Sequence, residues 1–487
     1  MNMCKNFLIG WGEADITPEN AKVELSGQYY QRSAQGIHSR IKTVALYLEK
    51  GDEQALMISL DVVNFPEELQ ERIRAAIHAD IPQIAPKSIF LNAIHTHSAP
   101  YTRPAGLFRD WLPLDDDALK PTDYLDFLEQ QILEAVRTSW DNRTTGGIAP
   151  AFGIARIGHC RRAVYADGTA EMYGDTTRED FVGMEAGEDS GVELLFTFDA
   201  NRKPTGTILN IACPSQVMES TYLISSDYMG AARENLKEEF GADFHTLCQI
   251  GAAGCQSPRD LTRHYRTEPD FWHADGVVVH AERVRKAVLE AFPQTTGKID
   301  FSPAFRHIRK RVSLPMRRAS YADYVLAGKN LEKLLAVMPE KAAFEDFCRE
   351  THANEIIPNL PGPYDSKLHH FVQIQNNKAV ISRYESQNDQ PECSFDMQIL
   401  RLGDCAIANN PFELYLVFGQ MIKARAKAGQ TFIVQLSGGS CGYLPSREAE
   451  QFGGYGGLII NGKVGSDGGC KLVDETVNAI NQIFKKE

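Results

Sequence analysis

The sequence predicts an α/β fold: one large catalytic-type domain on a mixed sheet, with helices on the sheet faces and the site at the carboxyl ends of strands. Short apolar runs bounded by turn residues alternate with longer segments whose apolar residues recur every three or four positions. Several of those runs end in turns rich in His, Cys, Gln, Ser, Arg, Glu and Tyr. The chain is also long, 487 residues with 43% hydrophobic and 24% charged, enough to bury a large core without disulfides or a structural metal.

The apolar runs predict strands over 43–48, 55–60, 88–94, 192–198, 206–212, 244–250, 397–402, 405–409 and 431–436. Helical spacing predicts a helix over 66–79, with Leu69, Ile73 and Ile77 on one face. A second covers 122–140 through Leu125, Leu128, Ile132 and Val136, and others cover 277–292, 319–337, 412–427 and 474–485. Residues 140–190 read as irregular and polar, and 339–390 carry mixed patterns. No repeat or low-complexity linker divides the chain, so residues 1–487 read as a single domain with a small inserted segment near 300–390.

Charge and cysteine usage narrow the partners. Lys and Arg total 51 against 64 Asp and Glu, a formal net charge of -13, which argues against nucleic acid or an anionic membrane as partner. Ten cysteines are scattered with no CxxC pair, as befits free thiols in a reducing compartment. No stretch of 18 apolar residues suggests a membrane span, and the first residues lack a signal-peptide pattern. These features predict a cytoplasmic protein acting on a small molecule, with no integral membrane association. They leave its oligomeric state open.

The chemistry gathers where strands end. The run 88–94 leads into His95-Thr96-His97-Ser98, and 206–212 into Cys213-Pro214-Ser215-Gln216. The run 244–250 leads into GAAGCQSPRD, with Cys255, Gln256, Ser257 and Arg259, while 405–409 leads to Glu413 and 431–436 to Tyr443. Loops at strand carboxyl ends are where open α/β sheets bind ligands. Positions two apart on extended chain share a side, so His95 and His97 can face one cavity as two metal ligands, or as one ligand and one acid/base. Alternatively the two histidines brace loop backbone, Glu413 complements a helix dipole, and Ser257 is a turn residue before Pro258.

Taken together these motifs resemble the neutral/alkaline non-lysosomal ceramidase family, zinc amidohydrolases, in its amino-terminal catalytic domain. The likeness begins at GWGEADITPE and continues through QGIHSRIKTVAL, SLDVV, IHTHSAP, NIACPSQ, LISSDYMG, GAAGCQSPR, NPFE and GYLPSREAEQFGGY, in the family's order. The resemblance implies His95, Glu413 and Tyr443 as zinc ligands. It implies that His97 hydrogen-bonds the attacking water or the leaving group, and that Tyr455 and Arg161 polarise the scissile carbonyl, with Ser257 nearby. His38 in QGIHSR matches a family histidine, which implies a place near the pocket, with the bracing of a loop as the alternative. Gln216, Gln256, Arg162 and Arg259 complete the candidate substrate contacts, the arginines suiting a hydrophilic or anionic substrate.

The chain departs from the family pattern in three ways. Pro214 stands where a second zinc histidine is expected, so Cys213 or Cys255 becomes the candidate replacement, with two small buried thiols as the alternative. Cys255 itself stands where the serine motif has Asp. The chain also ends soon after the tyrosine motif, without the family's usual carboxy-terminal β-sandwich. The resulting expectation is a zinc-dependent hydrolase cleaving an amide-type bond in a soluble small molecule rather than membrane ceramide. A carbohydrate-active lyase or glycosidase on the same scaffold, and a non-catalytic binding relic, are the alternatives.

Overall fold

A computed structural model describes residues 6–19, 22–28, 32–103, 117–263, 271–355 and 369–485; Cys4 lies outside them. Eight strands make the largest sheet, in the spatial order His245–Ile250, Pro204–Ile211, Gly191–Asp199, Thr144–Ile154, Leu8–Asp15, Lys42–Lys50, Glu53–Leu60 and Ile89–Ala93. The outermost pair at each end is parallel and the interior pairs are antiparallel, which makes the sheet mixed. Its two halves are joined only through Leu8–Ile9 against Thr144–Thr145. Across that weak seam the halves fold face to face: Ser59 Oγ and Asn92 Nδ2 both donate to the carbonyl of Cys248, at 2.6 and 3.0 Å.

A four-stranded sheet, Phe305–Pro315, Glu392–Leu402, Cys405–Asn409 and Gln430–Val434, stacks on both halves. Polar side chains pin the layers, Asn210 to the Ile433 carbonyl at 2.7 Å and Gln398 to the Ile89 carbonyl at 3.2 Å. A buried core fills the space where the three layers meet, with Leu46, Met57, Leu195, Leu247, Ile407 and Phe432 among its members. Each such side chain contributes about 1.5–3 kcal/mol by leaving water. The nine predicted strands are all present, and this packing brings together the carboxyl ends of five of them, Ile89–Ala93, Pro204–Ile211, His245–Ile250, Cys405–Asn409 and Gln430–Val434.

The differences from the sequence reading have local causes. The strands Leu8–Asp15 and Thr144–Ile154 escape the apolar pattern because both are broken by glycine. A Cβ at Gly10 or Gly12 would stand about 2 Å from carbonyls of helix Pro121–Asp141, so small residues let that helix lie against the sheet. The stretch 412–427 divides: Glu413–Leu414 is a two-residue strand, and the helix runs only over Leu416–Arg425. Helix Asp227–Phe240 is interrupted by Gly230 and has few large apolar residues, so it does not register as a helical stripe. Helices Tyr321–Val337, Glu340–Glu355 and His370–Ser386 lie between the antiparallel strands Phe305–Pro315 and Glu392–Leu402. They have a small apolar cluster of their own around Phe344, Phe347 and Phe371. No described helix is long and apolar enough to cross a membrane.

Candidate active site

His95 follows directly on strand Ile89–Ala93 in a left-handed conformation, φ 64°. A non-glycine residue held there costs of order 1–3 kcal/mol and persists only where its surroundings enforce it. Here the His95 amide bonds the Val62 carbonyl at 3.0 Å and the ring Nδ1 meets the Val63 carbonyl at 2.6 Å. That contact places the ring proton on Nδ1 and leaves the Nε2 lone pair facing inward. Thr96 and Ser98 turn the other way, donating to the carbonyls of Ser225 and Met218, and so lock the segment onto the loop after strand Pro204–Ile211.

His97 sits opposite, its Nε2 3.3 Å from His95 Nε2. Arg161 donates to Gln216 Oε1 at 3.2 Å, which turns the amide NH2 of Gln216 to His97 Nε2 at 2.7 Å. With Nε2 accepting, the His97 proton belongs on Nδ1, and that atom faces Glu219 Oε2 at 3.4 Å. Burial, reinforced by the charges of His95, Arg32 and Arg161, holds the His97 imidazole well below its usual pKa, so it is neutral and able to accept a proton. Gly27 presses against the ring, and a Cβ there would come within 2.4 Å of His97 Cγ.

Glu413 and Tyr443 arrive together because they are direct partners in a two-residue parallel pair. Glu413 Oε2 lies 3.6 Å from His95 Nε2 and 3.9 Å from Arg161 Nη2. Burial works to raise the Glu413 pKa, but the neighbouring His95, the charge of Arg161 and the Tyr443 hydroxyl outweigh it and hold the pKa below its usual value. Arg161 Nη2 also donates to the Tyr443 hydroxyl at 3.2 Å. The Tyr455 ring packs edge-on against Tyr443 with centroids 5.5 Å apart.

Arg161 is therefore the hub. Its place is set by pairing of His159–Cys160 with Gln256–Ser257 and by its own amide bonding the Cys255 carbonyl. Besides Gln216 and Tyr443 it donates to the Tyr173 hydroxyl at 3.2 Å, and Tyr173 in turn donates to Ser257 Oγ at 3.1 Å. His95, His97, Arg161, Gln216, Ser257, Glu413, Tyr443 and Tyr455 thus form one connected site.

Other candidates lie further out. Arg162 is wholly buried, paired with Glu185 at 2.7 Å and donating to the carbonyls of Gly453 and Tyr455, both at 2.6 Å. It anchors the Tyr455 loop. Gln256 reaches the Gly187 carbonyl, Arg259 lies over the Trp272 ring, and exposed His38 meets Ser225 Oγ at 3.2 Å. Cys213 is buried in an apolar cluster with Ile94 and Tyr228, and its thiol is bonded to its neighbour's carbonyl. Cys255 belongs to another apolar cluster, and burial pushes both thiols up, away from the thiolate a metal requires.

Two site residues escaped the sequence reading. Glu219 lies three positions beyond Gln216 on the same strand-end loop, a signal that was available. Tyr173 carries no motif, and it reaches the site through the pairing of strands Arg162–Tyr165 and Ala170–Met172. Asp227, buried with its pKa raised to about 6 chiefly by that burial, accepts the amides of Met218 and Tyr228 and so fixes the loop bearing Gln216 and Glu219.

The donor set can be tested against zinc. The lone pair of His95 Nε2, the ionised Glu413 oxygen and the Tyr443 phenol converge, and the 3.6 Å edge suits ligands about 2.0–2.1 Å from one ion. Backbone anchoring of His95 Nδ1 is the arrangement metal-bound histidines use. Among the described residues no three His, Cys, Asp or Glu side chains form a metal-holding group, so a metal here would require the Tyr443 phenol as a third donor.

A mixed α/β scaffold that gathers two histidines, a carboxylate, two tyrosines and an arginine from separate strand ends is of a hydrolase type. The profile of the neutral/alkaline non-lysosomal ceramidase amino-terminal region matches residues 7–303, and the chain belongs to that family. The fold is similar to the crystal structure of neutral ceramidase from Pseudomonas aeruginosa, with a TM-score of 0.70 at 17% identity over 99% of this chain and 76% of that one. A structure of a ceramidase complexed with C2 gives 0.68 at 17% identity, over 97% and 74%. No curated protein sequence matches the chain.

Proposed function

We propose that the protein is a zinc-dependent hydrolase that cleaves an amide-type bond in a water-soluble small molecule. The observation that carries this reading is the convergence of His95 Nε2, Glu413 and Tyr443 beside a neutral His97 and the Arg161 guanidinium. His95, Glu413 and Tyr443 would hold zinc, which supplies Lewis acidity and makes water acidic enough to attack near neutral pH.

The remaining steps belong to the chain itself. His97 Nε2, its lone pair released by the Gln216 amide as the water enters, takes the proton of the attacking water and returns it to the departing amine. Glu219 beside Nδ1 supports the imidazolium formed between the two transfers. The Tyr455 hydroxyl donates to the oxygen on which negative charge grows, and the Arg161 guanidinium, its Nη hydrogens held by Gln216, Tyr173, Tyr443 and the Gly254 carbonyl, stabilises that oxygen by its charge, an effect usually among the largest in acyl transfer.

The charge balance supports a soluble substrate, since a net charge of -13 disfavours approach to an anionic membrane surface. The test is metal content by plasma mass spectrometry on protein purified without chelator, with His95→Ala beside it. Turnover of water-soluble N-acyl amines is followed in parallel with turnover of ceramide in vesicles. The expected result is about one zinc per chain, lost in the variant together with amine release from the soluble substrate. Oxygen from labelled water should appear in the acid product, which separates hydrolysis from a lyase. Undiminished turnover after complete metal removal would overturn the zinc assignment, and preference for vesicle ceramide would overturn the substrate assignment.

A further inference from the structure

The loop that presents Tyr443 carries a cysteine in contact with another. Cys441 Sγ lies 3.7 Å from Cys393 Sγ, across 48 positions of sequence. Cys393 is fixed in strand Glu392–Leu402, opposite Leu314 in the antiparallel ladder. Cys441 is held from the other side, its amide donating to the Pro411 carbonyl at 2.8 Å. Gly438, Gly439 and Gly442 around it all have positive φ, so this segment follows a path that ordinary side chains would not adopt.

Access separates Cys441 from the buried thiols. Cys213, Cys248 and Cys255 lie within apolar clusters, and Cys393 is buried in the cluster that holds Cys255, with half-buried Cys441 packed against it. Cys441 lines an open cavity of about 720 Å³ together with Ser394, the neighbour of Cys393, and the cation Lys463. A disulfide requires the sulfurs at about 2.05 Å, an approach that side-chain rotation and a small loop shift can supply.

We propose that Cys393 and Cys441 are a reversible modification site, a dithiol that a small disulfide such as oxidised glutathione converts to an intrachain bridge. Cys441, as thiolate, attacks one sulfur of the small disulfide, forming a mixed disulfide and expelling one glutathione thiolate. Cys393, as thiolate, then attacks the Cys441 sulfur, forming the protein S–S bond and expelling the second glutathione. Two protein thiols give up two electrons and two protons, and one small disulfide becomes two thiols. The bridge ties the Tyr443 loop to strand Glu392–Leu402. It also restrains Glu413, whose amide bonds the Gly442 carbonyl at 3.0 Å. The inference is independent of whether zinc is bound.

The experiment uses the full-length protein in glutathione buffers of rising oxidised fraction, with free thiols trapped by N-ethylmaleimide and located by intact mass and peptide mapping. Exposed Cys470 serves as the internal reference for a thiol with no partner. The expected result is a linked 393–441 peptide pair, with both thiols withdrawn from alkylation and restored by dithiothreitol. In Cys393→Ser the mixed disulfide should instead accumulate at Cys441, because the second attack has no nucleophile. Two results would overturn the proposal: both cysteines remaining alkylatable while Cys470 is fully glutathionylated, or a stable mixed disulfide at Cys441 in the unmodified protein. Because mapping of the unmodified protein decides between these, a variant that fails to fold costs nothing.

Discussion

The two sides of the candidate site are built differently. The side contributed by residues 95–257 is a closed polar network: Arg161, Gln216, His97 and Glu219 face one another in series, with Tyr173 and Ser257 attached. The other side, Glu413, Tyr443 and Tyr455, rides on short segments, and those bearing the two tyrosines are flanked by glycines in left-handed conformation, Gly438, Gly439, Gly442, Gly453, Gly454 and Gly456. The first side resembles a core, where most buried polar groups are answered by others. The second is held by backbone contacts between short segments, among them Arg162 to the 453–455 turn and the Glu413–Tyr443 pairing. Proton handling demands fixed tautomers and distances, and the closed network supplies them. Glycine-bordered segments can approach or withdraw, which suits the side that meets ligand.

Arg161→Met is the sharpest way to break this comparison, because the guanidinium bonds Gln216 and Tyr173 on one side and Tyr443 on the other. Steady-state kinetics should show kcat falling about 10²–10³-fold, the loss typical of a group that stabilises an oxyanion. Retention of normal kcat would mean the two sides do not act as one site. Glu219→Gln acts on the closed side only. It should lower kcat about tenfold, within the range for partners that orient a functional histidine, while KM and metal content hold. A parallel loss of metal would place Glu219 in the metal-holding half instead.

The smallest effect concerns stability and a histidine outside the site. His280, buried in helix His273–Ala291, has its pKa lowered to about 3, chiefly by burial and then by the charges of Arg283 and His159. Between about 6.5 and 3 the unfolded chain takes up a proton there that the folded chain refuses, so stability falls as pH drops through that window. His280→Gln should flatten denaturant-derived stability against pH by up to about 1.4 kcal/mol per unit. An unchanged slope would show that His280 is protonated in the fold or hydrated. His97, His159 and His307, also lowered by burial, add to the slope in the same direction.

Much of the fold was legible because buried strands of Val, Ile, Leu and Phe need little context to be recognised. Strands rich in glycine were not, since Gly10, Gly12, Gly146 and Gly147 are explained by the helix, side chains or backbone that lie close against them. The stretch after Pro411 misled for a related reason. Helical spacing is real from Leu416 onward, but the Glu413 amide and carbonyl neighbourhood is claimed by the distant Tyr443 segment.

By itself the sequence determined the kinds of groups at the strand ends: the HTH segment, the NPFE carboxylate, the paired tyrosines and the missing histidine at Pro214. Side-chain chemistry and strand periodicity are local properties, readable without a partner. The tertiary structure decided which of those groups meet. It took Arg162 away to Glu185 and the 453–455 turn and left Cys213 and Cys255 in apolar clusters. It also brought in Glu219 and Tyr173 and set one sulfur beside another across 48 positions. The physical reason is that hydrogen-bond direction and burial are settled between segments far apart in the chain, when the sheets fold onto one another.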